Sequence, residues 1–222
     1  MPPPETKDYR QGVFINCPYD KDYIPLLRAV LFAVIRLGYR PETAAERLDC
    51  KEVRLDKIAG LIPLCRFGFH DLSRNRASKA GEYYRMNMPF ELGIDWAWEC
   101  YARKSVEYGK GLPKKFLIVE STGRSAKAAI SDLDGSDFQV HDDSPEELIT
   151  VVRDFFYEYR HGDGRDDYPD GHDIWREYNE FLADLQFTKD GRMRKQAELD
   201  RMIIAEFCDK VREWIGTRSK AG

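Results

Sequence analysis

The chain contains no run of about 18 apolar residues, the least that would suggest a membrane-spanning helix. Its longest approach, Ile24 to Leu37, is interrupted by Arg28 and Arg36, so no spanning helix is expected. Cysteine is sparse: five residues, an odd number, with no C-x-x-C pair. That argues against a disulfide framework and against structural zinc. A dominant charge sign is missing too. Thirty-five basic and 39 acidic side chains leave a net charge of −4, which gives no global pull toward nucleic acid or an anionic membrane, although a local basic patch could hold phosphate. Met1 to Asp8 holds three prolines and no apolar h-region, so it reads as part of a disordered lead-in over residues 1–11 and not as a signal peptide. Without an export signal, a soluble protein of the reducing cytoplasm is expected. The four histidines (His70, His141, His161, His172) show no metal spacing. Asp166, Asp170, Gly171 and Glu177 fall at calcium-loop positions, but Tyr168 replaces a ligand among them, which argues against calcium.

What is present is a strand-helix rhythm. Gly12–Asn16 reads as a strand, and residues 23–37 as a helix with Leu26, Leu27, Val30, Leu31, Val34 and Ile35 at helical spacing. Gly38 is its expected left-handed stop. A short strand over 40–45, a helix over 53–65 weakened by Pro63, and a strand from Phe67 follow. Residues 74–86 are polar and read as a long loop. Pro89 then opens a helix running to about Arg103. Lys115–Glu120 is the clearest strand; a helix over 126–133, a strand over 137–141 and a helix from Ser144-Pro145 to about Tyr159 complete the alternation. Such a rhythm implies a five-stranded parallel sheet with helices on both faces, an α/β, flavodoxin-like fold over residues 12–160. Residues 161–173 read as a linker, and 174–222 as a helical appendage with helices near 174–187 and 193–215. The stripe Leu199, Met202, Ile203, Phe207, Val211, Trp214 and Ile215 on the second must be covered, by the first domain or by another copy.

In parallel sheets ligands bind beyond the carboxyl ends of the strands. Three groups of residues fall there. Glu91, in Asn87-Met88-Pro89-Phe90-Glu91-Leu92-Gly93, is the best catalytic candidate. Its bland reading is a capping-box carboxylate, or one member of a solvated stripe with Asp95 and Glu99. Asp71 and Ser73 close the third strand and could instead form an Asx turn. Arg47, Arg54, Arg74, Arg76 and Arg85 flank the same edge, where guanidinium forks suit pyrophosphate, although each alone reads as a surface residue. Cys17 is either a reactive thiol or a small buried apolar residue. His70, within a strand, reads as a core histidine, and Ser73 has no nucleophile elbow.

The segments Val13-Phe14-Ile15-Asn16-Cys17-Pro18-Tyr19-Asp20, Asp71-Leu72-Ser73 and Asn87 to Gly93 resemble bacterial TIR-like families and the related nucleoside 2-deoxyribosyltransferases. The resemblance implies a catalytic Glu91. It also implies a substrate crevice shared by Phe14, Asn16, Pro18, Tyr19, Arg47, Arg54, Asp71, Ser73, Arg74 and Asn87. Asn87 stands where the transferases often carry an aspartate, and Asn16-Cys17-Pro18 departs from the serine-rich first loop of TIR domains. The activity implied is NAD glycohydrolase or ADP-ribosyl cyclase in bacterial antiviral defence, with NAD as substrate and no cofactor or metal. The alternatives are transfer or hydrolysis at a nucleoside, and a silent nucleotide-binding module. A homo-oligomer and an effector protein that responds to the product are the partners implied.

Overall fold

The computed structural model describes residues 7–44, 53–74, 86–102, 112–123, 125–133, 135–160 and 168–218. Expectations placed on Arg47, Arg76, Arg85, His161 and Asp166 lie outside them. By spatial clustering the chain forms two compact units, one of residues 1–24 and 39–144, the other of residues 25–38 and 145–222.

The first unit holds a five-stranded, wholly parallel sheet in the order β2-β1-β3-β4-β5, the flavodoxin-like doubly wound order. Its strands are β1 (Gly12–Asn16), β2 (Arg40–Glu42), β3 (Phe67–Asp71), β4 (Lys115–Glu120) and β5 (Gln139–Val140). β1 and β3 run in register from Val13 opposite Phe67 to Asn16 opposite His70. Every residue of both strands is buried, as central parallel strands require. β2 lies at the edge of the sheet, a position where a proline such as Pro41 is tolerated.

Residues 7–11, expected within a disordered lead-in, form instead a short helix, α1 (Lys7–Gln11). Tyr9 explains the difference. It is buried, its hydroxyl donates to Leu112 O at 3.1 Å and its carbonyl accepts from Arg66 N at 3.1 Å. α3 (Arg54–Leu61) passes into a 3₁₀ turn over Ile62–Leu64, where Pro63 cannot supply the α-helical bond. α4 (Asn87–Ala102) packs against β1 and β3. It starts at Asn87 and not at Pro89. The first-turn N–H groups lack helical partners, so proline is tolerated throughout that turn. α5 (Ser125–Ala129) is shorter than expected and ends in a 3₁₀ turn over Ser131–Leu133.

α4 is what carries the candidate site. Met88 and Leu92 pack with Leu72, Ile118 and Ala126, whereas Ile94 and Trp98 pack against Phe14, Ile58, Leu61 and Ile62. At 3.6 residues per turn, Glu91 and Asp95 fall between these two apolar rows, on the midline of the buried face. Both are buried, so the expected solvated stripe is in fact the face turned to the sheet.

The second unit comprises α2 (Ile24–Arg36) from residue 25 onward, α6 (Pro145–Tyr157), α7 (Gly171–Leu185), α8 (Gln196–Asp200) and α9 (Ile204–Arg218). α2 stops at Gly38, whose φ of +84° is the left-handed conformation expected there. Phe32 on α2 packs against Tyr178, Phe181 and Trp214, and Arg36 pairs with Glu177. Helix α7 starts three residues before the expected 174, capped by Asp170, whose side chain accepts from Asp173 N at 2.7 Å. The expected helix over 193–215 is two helices broken at 201–203. Met202, Phe207 and Val211 are buried, but Ile203 is exposed, so the stripe is not continuous. Among the described residues no helix is long and apolar enough to cross a membrane.

Candidate functional site

β1 and β3 are sequence-remote neighbours at the centre of the sheet, and the chain leaves them toward opposite edges. Their carboxyl ends therefore open the crevice where doubly wound sheets bind ligands. β1 brings Asn16 there, followed by Cys17, Pro18 and Tyr19; β3 brings Asp71; the first turn of α3 brings Arg54, and the second turn of α4 brings Glu91.

Glu91 lies one turn inside α4 and not in its first turn, so the capping-box reading does not fit. Its side chain is 6% exposed, and its partner is Arg54, at 3.7 Å and half-exposed. The Arg54 guanidinium also lies over the Tyr19 ring, 5.7 Å from its centroid. Burial raises the Glu91 carboxyl above its ordinary range, and Arg54 opposes that rise. A buried charge normally has close partners. Asp95, one turn further on, has two: Lys114 Nζ at 2.6 Å from Oδ1 and His70 Nε2 at 3.2 Å from Oδ2. Among the described residues Glu91 has one loose, solvent-facing partner, and is there the less compensated of the two.

Asp71 is fully buried and heavily engaged. Oδ2 accepts from the Tyr23 hydroxyl and lies 3.1 Å from His141 Nε2; Oδ1 accepts from Ser73 N at 2.8 Å. Ser73 Oγ is likewise 3.1 Å from His141 Nε2. Serine, histidine and aspartate thus meet, but not as a nucleophilic triad. In a triad the acid and the serine use different ring nitrogens. Here both face Nε2, while Nδ1 accepts from Asp143 N at 3.2 Å. The partners therefore place the proton on Nε2, and the ring cannot take one from Ser73. Asp142 and Asp143 hold this turn in the left-handed region, at φ 48° and 55°.

The other residues expected at the site separate into three groups. Arg74 reaches Asp20 at 3.8 Å, and Asn87 is exposed at the start of α4. Pro18 is buried and Tyr19 half-buried beside Arg54. Phe14 is wholly buried in the core cluster with Ile58 and Leu61. Cys17 is the small buried residue of its bland reading. Burial, with Asp71 and Glu91 nearby, pushes its thiol well above the ordinary range, which disfavours the reactive thiolate. His70 is a core histidine with both nitrogens engaged.

Reading the sequence missed His141, Tyr23 and Lys114. Tyr23 and His141 lie far from Asp71 in sequence; only the fold brings them together. Among the described residues no group of three His, Cys, Asp or Glu side chains could hold a metal. A groove of about 660 Å³ lined by Pro89, Leu92, Trp96, Tyr101 and Leu133 also borders α4, but does not include Glu91.

Fold and crevice together define a doubly wound α/β protein of flavodoxin-like strand order, with a buried carboxylate beside an exposed arginine at its switch point. Comparison with family models, curated proteins and solved structures finds no match to this chain.

Proposed function

We propose that the protein cleaves the nicotinamide N-glycosidic bond of NAD, as a TIR-like glycohydrolase or ADP-ribosyl cyclase. The observation that carries this reading is Glu91: a buried carboxylate at the carboxyl edge of the sheet, whose cationic partner among the described residues is the half-exposed Arg54 at 3.7 Å. Titratable groups perturbed by burial in a crevice are candidates for chemistry. Arg54, exposed and adjacent, suits the pyrophosphate.

The chemistry fits one carboxylate. As the C1′–N bond breaks, its electron pair returns to the pyridinium ring, and nicotinamide leaves neutral without a proton. Positive charge grows on the ribose as an oxocarbenium ion, which Glu91 stabilises or traps. Water then bonds to C1′ and sheds a proton; in the cyclase version a ring nitrogen of the substrate's own adenine bonds to C1′ through its lone pair, and the proton is lost from the exocyclic amino group. A nucleobase of a nucleoside is a poorer leaving group and needs a general acid. Among the described residues the carboxyl nearest for that is Asp71, whose oxygens are already engaged by the Tyr23 hydroxyl, Ser73 N and His141 Nε2. This disfavours a nucleoside deoxyribosyltransferase-like activity.

In the defence role that accompanies this reading, the protein acts as an oligomer and an effector responds to its product. The test is incubation of concentrated, assembled protein with NAD, following nicotinamide release. Release by wild type and its loss in Glu91→Gln support the reading. No release at any concentration leaves the nucleotide-binding module as the better account.

A further inference from the structure

One polar chain runs buried beneath α4. Lys114, just before β4, donates from Nζ to Ile62 O at 2.7 Å and lies 2.6 Å from Asp95 Oδ1, an ion pair by distance with poor hydrogen-bond angle. Asp95 Oδ2 meets His70 Nε2 at 3.2 Å. His70 Nδ1 is 3.0 Å from Asn16 Nδ2, which also donates to Met88 O at 2.8 Å. A carbonyl oxygen can only accept, so Met88 fixes which end of the Asn16 amide faces it. The second Nδ2 hydrogen then goes to His70 Nδ1, which leaves the ring proton on Nε2, directed at Asp95. Each group in the chain is oriented by the next.

We propose that this chain is the positioning machinery for Glu91. It grips α4 at Met88, three residues before Glu91, and at Asp95, four residues after it. Glu91 itself is left for the crevice. Two further observations support the assignment. Gly68 lies in a central strand, where glycine packs poorly. A Cβ there would come within 2.6 Å of His70 Nε2 and 2.7 Å of Asp95 Oδ2, so the glycine makes room for this bond. Lys114 and Asp95 are also a buried ion pair, a weak source of stability whose best-attested use is fixing register. A chain built for stability alone would do as well with apolar side chains. The inference rests on the NAD-cleaving reading only for its kinetic consequence.

The test is the double variant Asp95→Leu with Lys114→Met, which replaces the pair by apolar side chains of similar volume. The melting temperature should fall only by what the two buried groups left without partners cost, His70 Nε2–H and Ile62 O, and the variant should still fold. Amide exchange over Met88 to Leu92 should accelerate on the order of tenfold or more. The kcat for nicotinamide release should drop on the order of tenfold to a hundredfold, because misplacement by about 1 Å costs that much, with KM changed less. Unaltered exchange or unaltered kcat overturns the proposal. A double variant that does not fold overturns it too, since the chain then supports the fold and does not set register. In the wild type, ¹⁵N-histidine spectra should place the His70 proton on Nε2; a proton on Nδ1 is incompatible with the Asn16 bond and also overturns it. If the wild type cleaves no NAD, the exchange and histidine readouts still judge the chain, and the failure belongs to the proposed function alone.

Discussion

Glu91→Gln separates chemistry from architecture. The substitution keeps the side chain's size and part of its hydrogen bonding and removes its charge. If Glu91 faces the growing oxocarbenium charge, losing it should remove about 3 kcal/mol of transition-state stabilisation, a rate loss of at least about a hundredfold. Stability should respond in the opposite sense or hardly at all. Arg54 is half-exposed at 3.7 Å, a geometry in which an ion pair contributes about 0–1 kcal/mol. Its loss would lower the melting temperature by no more than about 4 °C in a chain of this size. Against that, burial raises the native Glu91 carboxyl above its unfolded value, so the folded protein holds this proton to higher pH. Native stability then declines as pH rises from the ordinary carboxylate range through the raised value. Glu91→Gln removes that decline, so its melting temperature at neutral pH should equal or exceed that of wild type. Nicotinamide release and thermal melts on one preparation give both numbers. A variant that keeps activity within about tenfold of wild type, whatever its melting temperature, refutes the reasoning.

Three other outcomes follow from the same geometry. The kcat/KM for NAD should fall as pH drops through the raised Glu91 value, above the ordinary carboxylate range, and a profile flat down to pH 4 would contradict an ionised Glu91. Arg54→Ala should raise KM for a dinucleotide more than it lowers kcat while leaving the melting temperature within about 4 °C, and unchanged affinity would mean the crevice is misassigned. Phe181→Ala, at a side chain packed on Phe32, Phe207 and Trp214, should cost about 3–5 kcal/mol in urea denaturation, and a cost below about 1 kcal/mol would mean that this cluster is not the core of the second unit.

Much of the sheet was legible because local signals agreed. Lys115–Glu120 is found with the bounds read from its apolar run, and Gly38 ends α2 as its position suggested. Bounds drifted where backbone chemistry allowed more than one answer, as at Pro89, which α4 accepts in its first turn and not at its first residue. Glu91 and Arg54 were legible as neighbours of one edge. The buried polar chain was not: Asn16, His70, Asp95 and Lys114 have no fixed spacing, and each alone reads as ordinary. Gly68 was its only local trace, a glycine where a central strand would prefer a branched side chain. The alliance of α2 with the C-terminal helices was hidden for the same reason, since periodicity shows that a face must be covered but not by what.

That alliance sets a timetable for synthesis. Arg28 donates to Leu199 O across 171 residues, and Arg36 pairs with Glu177 across 141. At about 5–20 residues per second, α2 emerges from the ribosome roughly 10 to 30 s before those partners exist. Throughout that interval Phe32 lacks the aromatic rings that flank it in the finished protein. A nascent chain paused before α7 therefore presents the Phe32 face of α2 without the rings that cover it in the finished protein, and transiently exposed apolar surface of this kind is prone to aggregation.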